Sequence, residues 1–205
     1  MDVVLTRIAE LQQGLQPPAS PAATTGVGTS AFSSALAGAT GLTGTGPLAP
    51  AVSLPTDGTA GQRALAAAEG EVGVTEQPPG SNDAPRIADY RTATAGSGVG
   101  PWCAYFVSWA AAQAGAPLGE AGQGFGSVSA VASWAQRTGR WNPAGSGQPP
   151  QAGDLIVWGG QHIGIVESVD ADGTIHTIEG NSSNAVTRRT HGADGDGATG
   201  YVRLG

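Results

Sequence analysis

The sequence predicts an α+β domain, and three features of its second two-thirds predict it. Helical spacing of apolar residues governs the stretch from Thr59 to Gly139, whereas alternation of apolar and polar residues governs the stretch from Asp154 onward. Between two of the alternating runs lies Asp170-Ala171-Asp172-Gly173, a tight-turn sequence that joins neighbouring strands in opposite directions. Helices first and an antiparallel sheet afterward give the α+β order.

Each element has its own local reason. Residues 2 to 15 place Val4, Ile8, Leu11 and Leu15 on one stripe, which predicts a short amphipathic helix over residues 1–15, either a terminal helix or a docking helix for a protein partner. Residues 16–57 read as a flexible low-complexity linker, because Pro17 to Pro55 contains no charge, few large side chains and frequent Gly and Pro, too little to bury against the entropy of ordering. A folded domain is expected over 58–205. Its first helix, in "TAGQRALAAAEGEVGV", follows the capping candidates Asp57 and Thr59. A second short helix is expected in "APRIADYRTA", and a third begins at Pro101 and carries Cys103. The fourth, "VSAVASWAQRTG", puts Val128, Val131, Ala132 and Ala135 on one face and ends at Gly139. Four strands follow, in "DLIVWG", "HIGIVESV", "TIHTIEG" and "GYVRLG".

Composition excludes several function classes. The chain of 205 residues carries a formal charge of −7, and its nine Lys and Arg are scattered, so no basic stripe exists to neutralise a phosphate backbone. Nucleic acid is not an expected ligand. No apolar run approaches the roughly 18 to 20 residues of a membrane span. Asp2 and the Thr6-Arg7 interruption also depart from a standard secretory signal. One cysteine permits no internal disulfide and leaves its thiol free.

That thiol is either a small packed hydrophobe or a nucleophile. If the helix opens at Pro101, Cys103 lies in the first turn, where unpaired N–H groups and the helix dipole favour a thiolate and the Cys103 N–H can serve an oxyanion. A thiolate nucleophile needs a base, and the histidines are His162, His176 and His191. His162 opens a strand, His176 lies within one, and His191 lies in an expected loop. Strand parity puts Glu179 on the face opposite His176. If the two strands flanking the turn at 170–173 pair as a meander, His162 faces the region of Glu179 to Asn181, and either side chain could orient the base.

Three stretches, "GPWCAYFVSWAAAQAG", "PQAGDLIVWGGQHIGIVESV" and "TIEGNSS", resemble in order and spacing the CHAP (cysteine, histidine-dependent amidohydrolase/peptidase) domain of the NlpC/P60-like, papain-like group. The likeness covers about residues 58 to 205. It implies a papain-like fold, cleavage of an amide bond in bacterial cell-wall peptidoglycan, Cys103 as nucleophile, His162 as base, Glu179 as the third catalytic position and Asn181 as a fourth polar one. No cofactor and no metal site are expected, since "VTEQPPGSNDAP" lacks the alternating carboxylates of a calcium loop and "GADGDGA" reads as a flexible loop. The leading helix and linker resemble those preceding wall hydrolases encoded with flagellar or export systems, and release as a phage endolysin would reach the wall equally. Two other classes stay open: an idle wall-peptide-binding module, and an export or flagellar partner acting through residues 1–15.

Overall fold

The computed structural model describes residues 57–205, so the expected helix over 1–15 and all but the last residue of the expected linker lie outside it. Among the described residues, four helices precede a six-stranded antiparallel sheet of order β1-β6-β2-β3-β4-β5. The fold is α+β.

Helix α1 (Ala60–Glu69) starts at Thr59 through a reciprocal capping box with Gln62. Helix α2 (Pro85–Arg91) has proline in its first turn. Helix α3 (Cys103–Gln113) is buried from Cys103 through Ala111, as befits a helix that is apolar on all sides. It opens two residues later than Pro101 predicts, because Trp102 is the cap residue and its carbonyl accepts the first helical bond from Phe106 N–H at 2.9 Å. Helix α4 (Val128–Arg137) buries Val128, Val131 and Ala135 as expected; Trp134 is buried as well, packed on Phe125, while Ala132 is only partly covered. No helix among the described residues is long and apolar enough to cross a membrane.

The expected strands are present as β2 (Leu155–Trp158), β3 (His162–Val169), β4 (Ile175–Ser182) and β6 (Gly200–Val202). The sheet also contains β1 (Trp141–Pro143) and β5 (Ala185–His191). Both are edge strands, and β5 carries Arg188, Arg189 and Thr190, whose polarity hides its period. His191 therefore ends a strand instead of lying in a loop.

Alternation divides the sheet into two faces. Leu155, Val157, Ile163, Ile165, Ile178, Val186 and Val202 join the helices in the main core. Ile156, Val166, Ile175 and Tyr201 form a smaller cluster with Ala198. The segment from Gly192 to Thr199 is pinned across it: Trp158 Nε1–H donates to Gly195 O at 2.7 Å, and Gly192 N–H to Asp196 Oδ1 at 3.1 Å. The stretch expected to be a flexible loop is thus a tied series of turns.

Helix α3 lies unusually close to β4. A Cβ added at Gly180 would sit 2.6 Å from Phe106 Cβ, so only glycine admits this approach. The consequence is positional: the first turn of α3 is set against the end of β4.

Candidate active site

Cys103 is the first residue of α3, where its backbone N–H has no carbonyl four residues earlier in the helix to bond. The residue before it is fixed from two directions. Trp102 N–H donates to Asn181 Oδ1 at 3.3 Å, and its indole Nε1–H donates to Glu76 Oε1 at 2.9 Å. Glu76 is itself buried, and also accepts from Asn82 N–H at 3.0 Å and Asn181 Nδ2 at 3.1 Å. These bonds explain how a carboxyl can lie in the interior beside a fully buried tryptophan. They also hold the backbone that presents the thiol of Cys103, a residue that is 4% exposed.

His162 begins β3 directly opposite Trp158 of β2, with the two rings 5.5 Å apart and nearly parallel. Its Nε2–H donates to Glu179 Oε2 at 2.8 Å; an ionised carboxylate only accepts, which puts the proton on Nε2 and leaves Nδ1 for the thiol. The bond depends on a gap in β3. Register continued from Ile165 opposite Ile178 brings Glu179 beside Gly164, and a Cβ on Gly164 would sit 2.7 Å from Glu179 Cγ. Glycine lets the carboxylate cross β3 to the imidazole.

Glu179 is a hub with three donors. Besides His162, it accepts at Oε1 from Thr177 Oγ1–H at 2.7 Å and from His191 Nε2 at 2.8 Å. His191 Nδ1 lies 3.0 Å from Asp196 Oδ2, and its ring is 4.9 Å from that of Trp158. Burial works against the Glu179 carboxylate, but the bonds from His162, Thr177 and His191 outweigh it and hold its pKa at about 2. Burial also works against a charged imidazole at His162. Hydrogen bonds to Cys103 and Glu179, with the attraction of both groups, outweigh it and push the His162 pKa up to about 9.

The structure thus brings Cys103, His162 and Glu179 together. Of the two candidates for orienting the base, Glu179 makes the bond to His162. Asn181 does not, because the chain turns through positive φ there (58°) with an irregular register between Glu179 and Ser182, which sends its side chain to Trp102, Glu76 and Asn82. His176 stands apart, bonded to Asp170 Oδ2 at 2.9 Å. Thr177, Trp158 and Glu76 carry no mark as site residues in the sequence, and His191, one of the three candidate histidines, is placed by it in a loop; the structure brings all four to the site. Thr177 was legible, since a residue two before Glu179 shares its face; His191 was not, because nothing marks β5 as a strand.

A buried thiol on an imidazole whose far nitrogen is held by a carboxylate is the arrangement of nucleophile, base and orienter used in acyl transfer. Residues 94–181 match the family model of the CHAP domain. Over this stretch the chain is similar to the CHAP domain. The match contains Cys103, His162 and Glu179 and ends at Asn181, so α1, α2, β5 and β6 lie outside it. CHAP domains are papain-like and are generally cysteine- and histidine-dependent amidohydrolases and peptidases, a family associated with peptidoglycan hydrolysis. No curated protein and no solved structure matches the chain.

Proposed function

We propose that this protein is a peptidoglycan hydrolase, a cysteine amidase or endopeptidase that cleaves an amide bond of the wall peptide through a thioester. The observation that carries the reading is the His162 ring between the Cys103 thiol and the buried Glu179 carboxylate. Cys103 Sγ attacks the carbonyl carbon, and the developing oxyanion lies against the unpaired Cys103 N–H. The C–N bond breaks as His162 gives its proton to the leaving nitrogen, leaving the acyl group on sulfur. His162 then takes a proton from water, whose oxygen attacks the thioester; the C–S bond breaks and the thiolate returns. Glu179 stabilises the imidazolium throughout, and Asn181 positions the start of α3 through Trp102. Action at the wall, outside the membrane or after release from a cell, follows from this substrate. Zymography on purified walls with wild type and Cys103→Ala tests the reading, and lysis by wild type alone is expected.

The same geometry gives a pH dependence. With the His162 pKa raised from its ordinary 6.5 to about 9, the imidazolium that protonates the leaving nitrogen persists through neutral pH. The value of kcat/KM should hold to about pH 8 and fall as pH rises through about 9. The stabilisation that this proton gives the fold has the same sense: it is complete below pH 6.5 and lost through about 9. Glu179 runs the other way, contributing above its ordinary 4.5 and losing that contribution as pH falls toward about 2. In Glu179→Gln the neutral amide removes the charge, so the upper limb should shift below pH 9 and kcat should fall about 10- to 1000-fold. An unchanged limb with near-wild-type kcat would assign Glu179 no part in the proton transfer.

A further inference from the structure

Beside His162 the surface forms an open cleft of about 500 Å³, lined among others by Glu179, Asn181, Ser183, Arg189 and His191. Its two carboxylates are already engaged: Glu179 holds both histidines, and Asp196 holds His191. Arg189 is different. Its Nε–H donates to Ser182 Oγ at 3.0 Å and a terminal nitrogen lies 3.4 Å from Ser183 Oγ, both neutral hydroxyls. It forms no ion pair among the described residues, whereas its neighbour Arg188, on the opposite face, pairs with Glu167 at 2.8 Å.

Position ties this cation to the site. Arg189 lies opposite Thr177 in the β4–β5 ladder, so it shares the face of Thr177 and Glu179. His191 is two residues farther along β5, about 7 Å of strand at 3.4 Å per residue. The short turn between β4 and β5, with Ser183 and Asn184 both at positive φ, places the Ser183 hydroxyl against the guanidinium. Two hydroxyls fix the plane of a group that has five N–H donors, and the remaining donors are available to a ligand. A planar guanidinium fork matches the two oxygens of a carboxylate.

We propose that Arg189 binds a free carboxylate of the stem peptide whose amide bond lies at Cys103, and so selects carboxylate-bearing over amidated wall peptides. The inference rests on the wall-hydrolase reading for its ligand. Arg189 also lies beyond the matched span, in β5.

The test is a calorimetric titration of the full-length Cys103→Ala protein, which cannot turn over. One probe is an N-acetylated stem tripeptide with its carboxylates free; the other is the same peptide with each converted to a carboxamide. The free acid should bind about 10- to 100-fold tighter, the scale of a charge-assisted bidentate contact. That preference should vanish in Cys103→Ala/Arg189→Gln and survive in part in Cys103→Ala/Arg189→Lys, which keeps the charge without the fork. Equal affinities, a preference that persists without Arg189, or no binding of either peptide would overturn the proposal. Wall lysis by the wild type separates the two claims: an inert wild type with the preference intact sinks the hydrolase reading alone, and a lytic one without it sinks the Arg189 site alone.

Discussion

Cys103→Ala should abolish wall lysis in a protein that still folds. The substitution removes one buried sulfur from a residue that is 4% exposed. Loss of a group of that size costs on the order of 1 kcal/mol, against the roughly 5–15 kcal/mol by which domains are stable. The catalytic cost is of another order. Removing the nucleophile from a coupled nucleophile–base pair typically lowers kcat by about 10⁶, which is below the floor of any lysis assay. Turbidity loss of purified walls measures the activity and thermal denaturation measures the fold. Full lysis by a folded Cys103→Ala protein would end the cysteine mechanism.

His162→Ala should lower activity steeply, and His176→Ala should be close to wild type. General acid–base catalysis is worth about 10²- to 10⁴-fold, and here the same ring both receives the thiol proton and delivers it to the leaving group. His176 has neither role in this geometry: Glu179 is on the other face of β4, and the His176 ring is held by Asp170 and Thr190. Relative kcat/KM on purified wall for the two folded variants decides between them. Equal losses would mean that the pairing of β3 with β4 does not set the choice of base.

That contrast was legible in the sequence, because parity along β4 needs only the order of residues, and the turn at Asp170–Gly173 sets which ends of β3 and β4 meet. Reach was not legible. Parity alone left Glu179 and Asn181 equal, and what separates them is local: Gly164 opens a path for Glu179 across β3, while positive φ at Asn181 turns its side chain toward α3. Gly180 is required by the approach of Phe106, a contact that no sequence pattern displays.

The site also contains what polarity conceals. His191 shares the Glu179 carboxylate with His162, yet β5 reads as a run of exposed Arg and Thr with no apolar alternation to announce a strand. Glu76 lies 26 residues before Trp102 in the chain, and only the folded structure shows that its carboxyl holds that indole. Long-range polar contacts of this kind have no periodicity for a sequence to display.

The central claim, that Cys103 carries the acyl group while His162 moves the proton, is tested most directly by intact-mass spectrometry. Full-length protein would be mixed with an excess of soluble muropeptide and quenched in acid during turnover, with peptide mapping to place any adduct. The account predicts a protein mass increased by the acyl portion of the cleaved peptide, located on Cys103, reversed by hydroxylamine and absent from Cys103→Ala. Continued cleavage with no adduct on Cys103, together with an active Cys103→Ala protein, would contradict it.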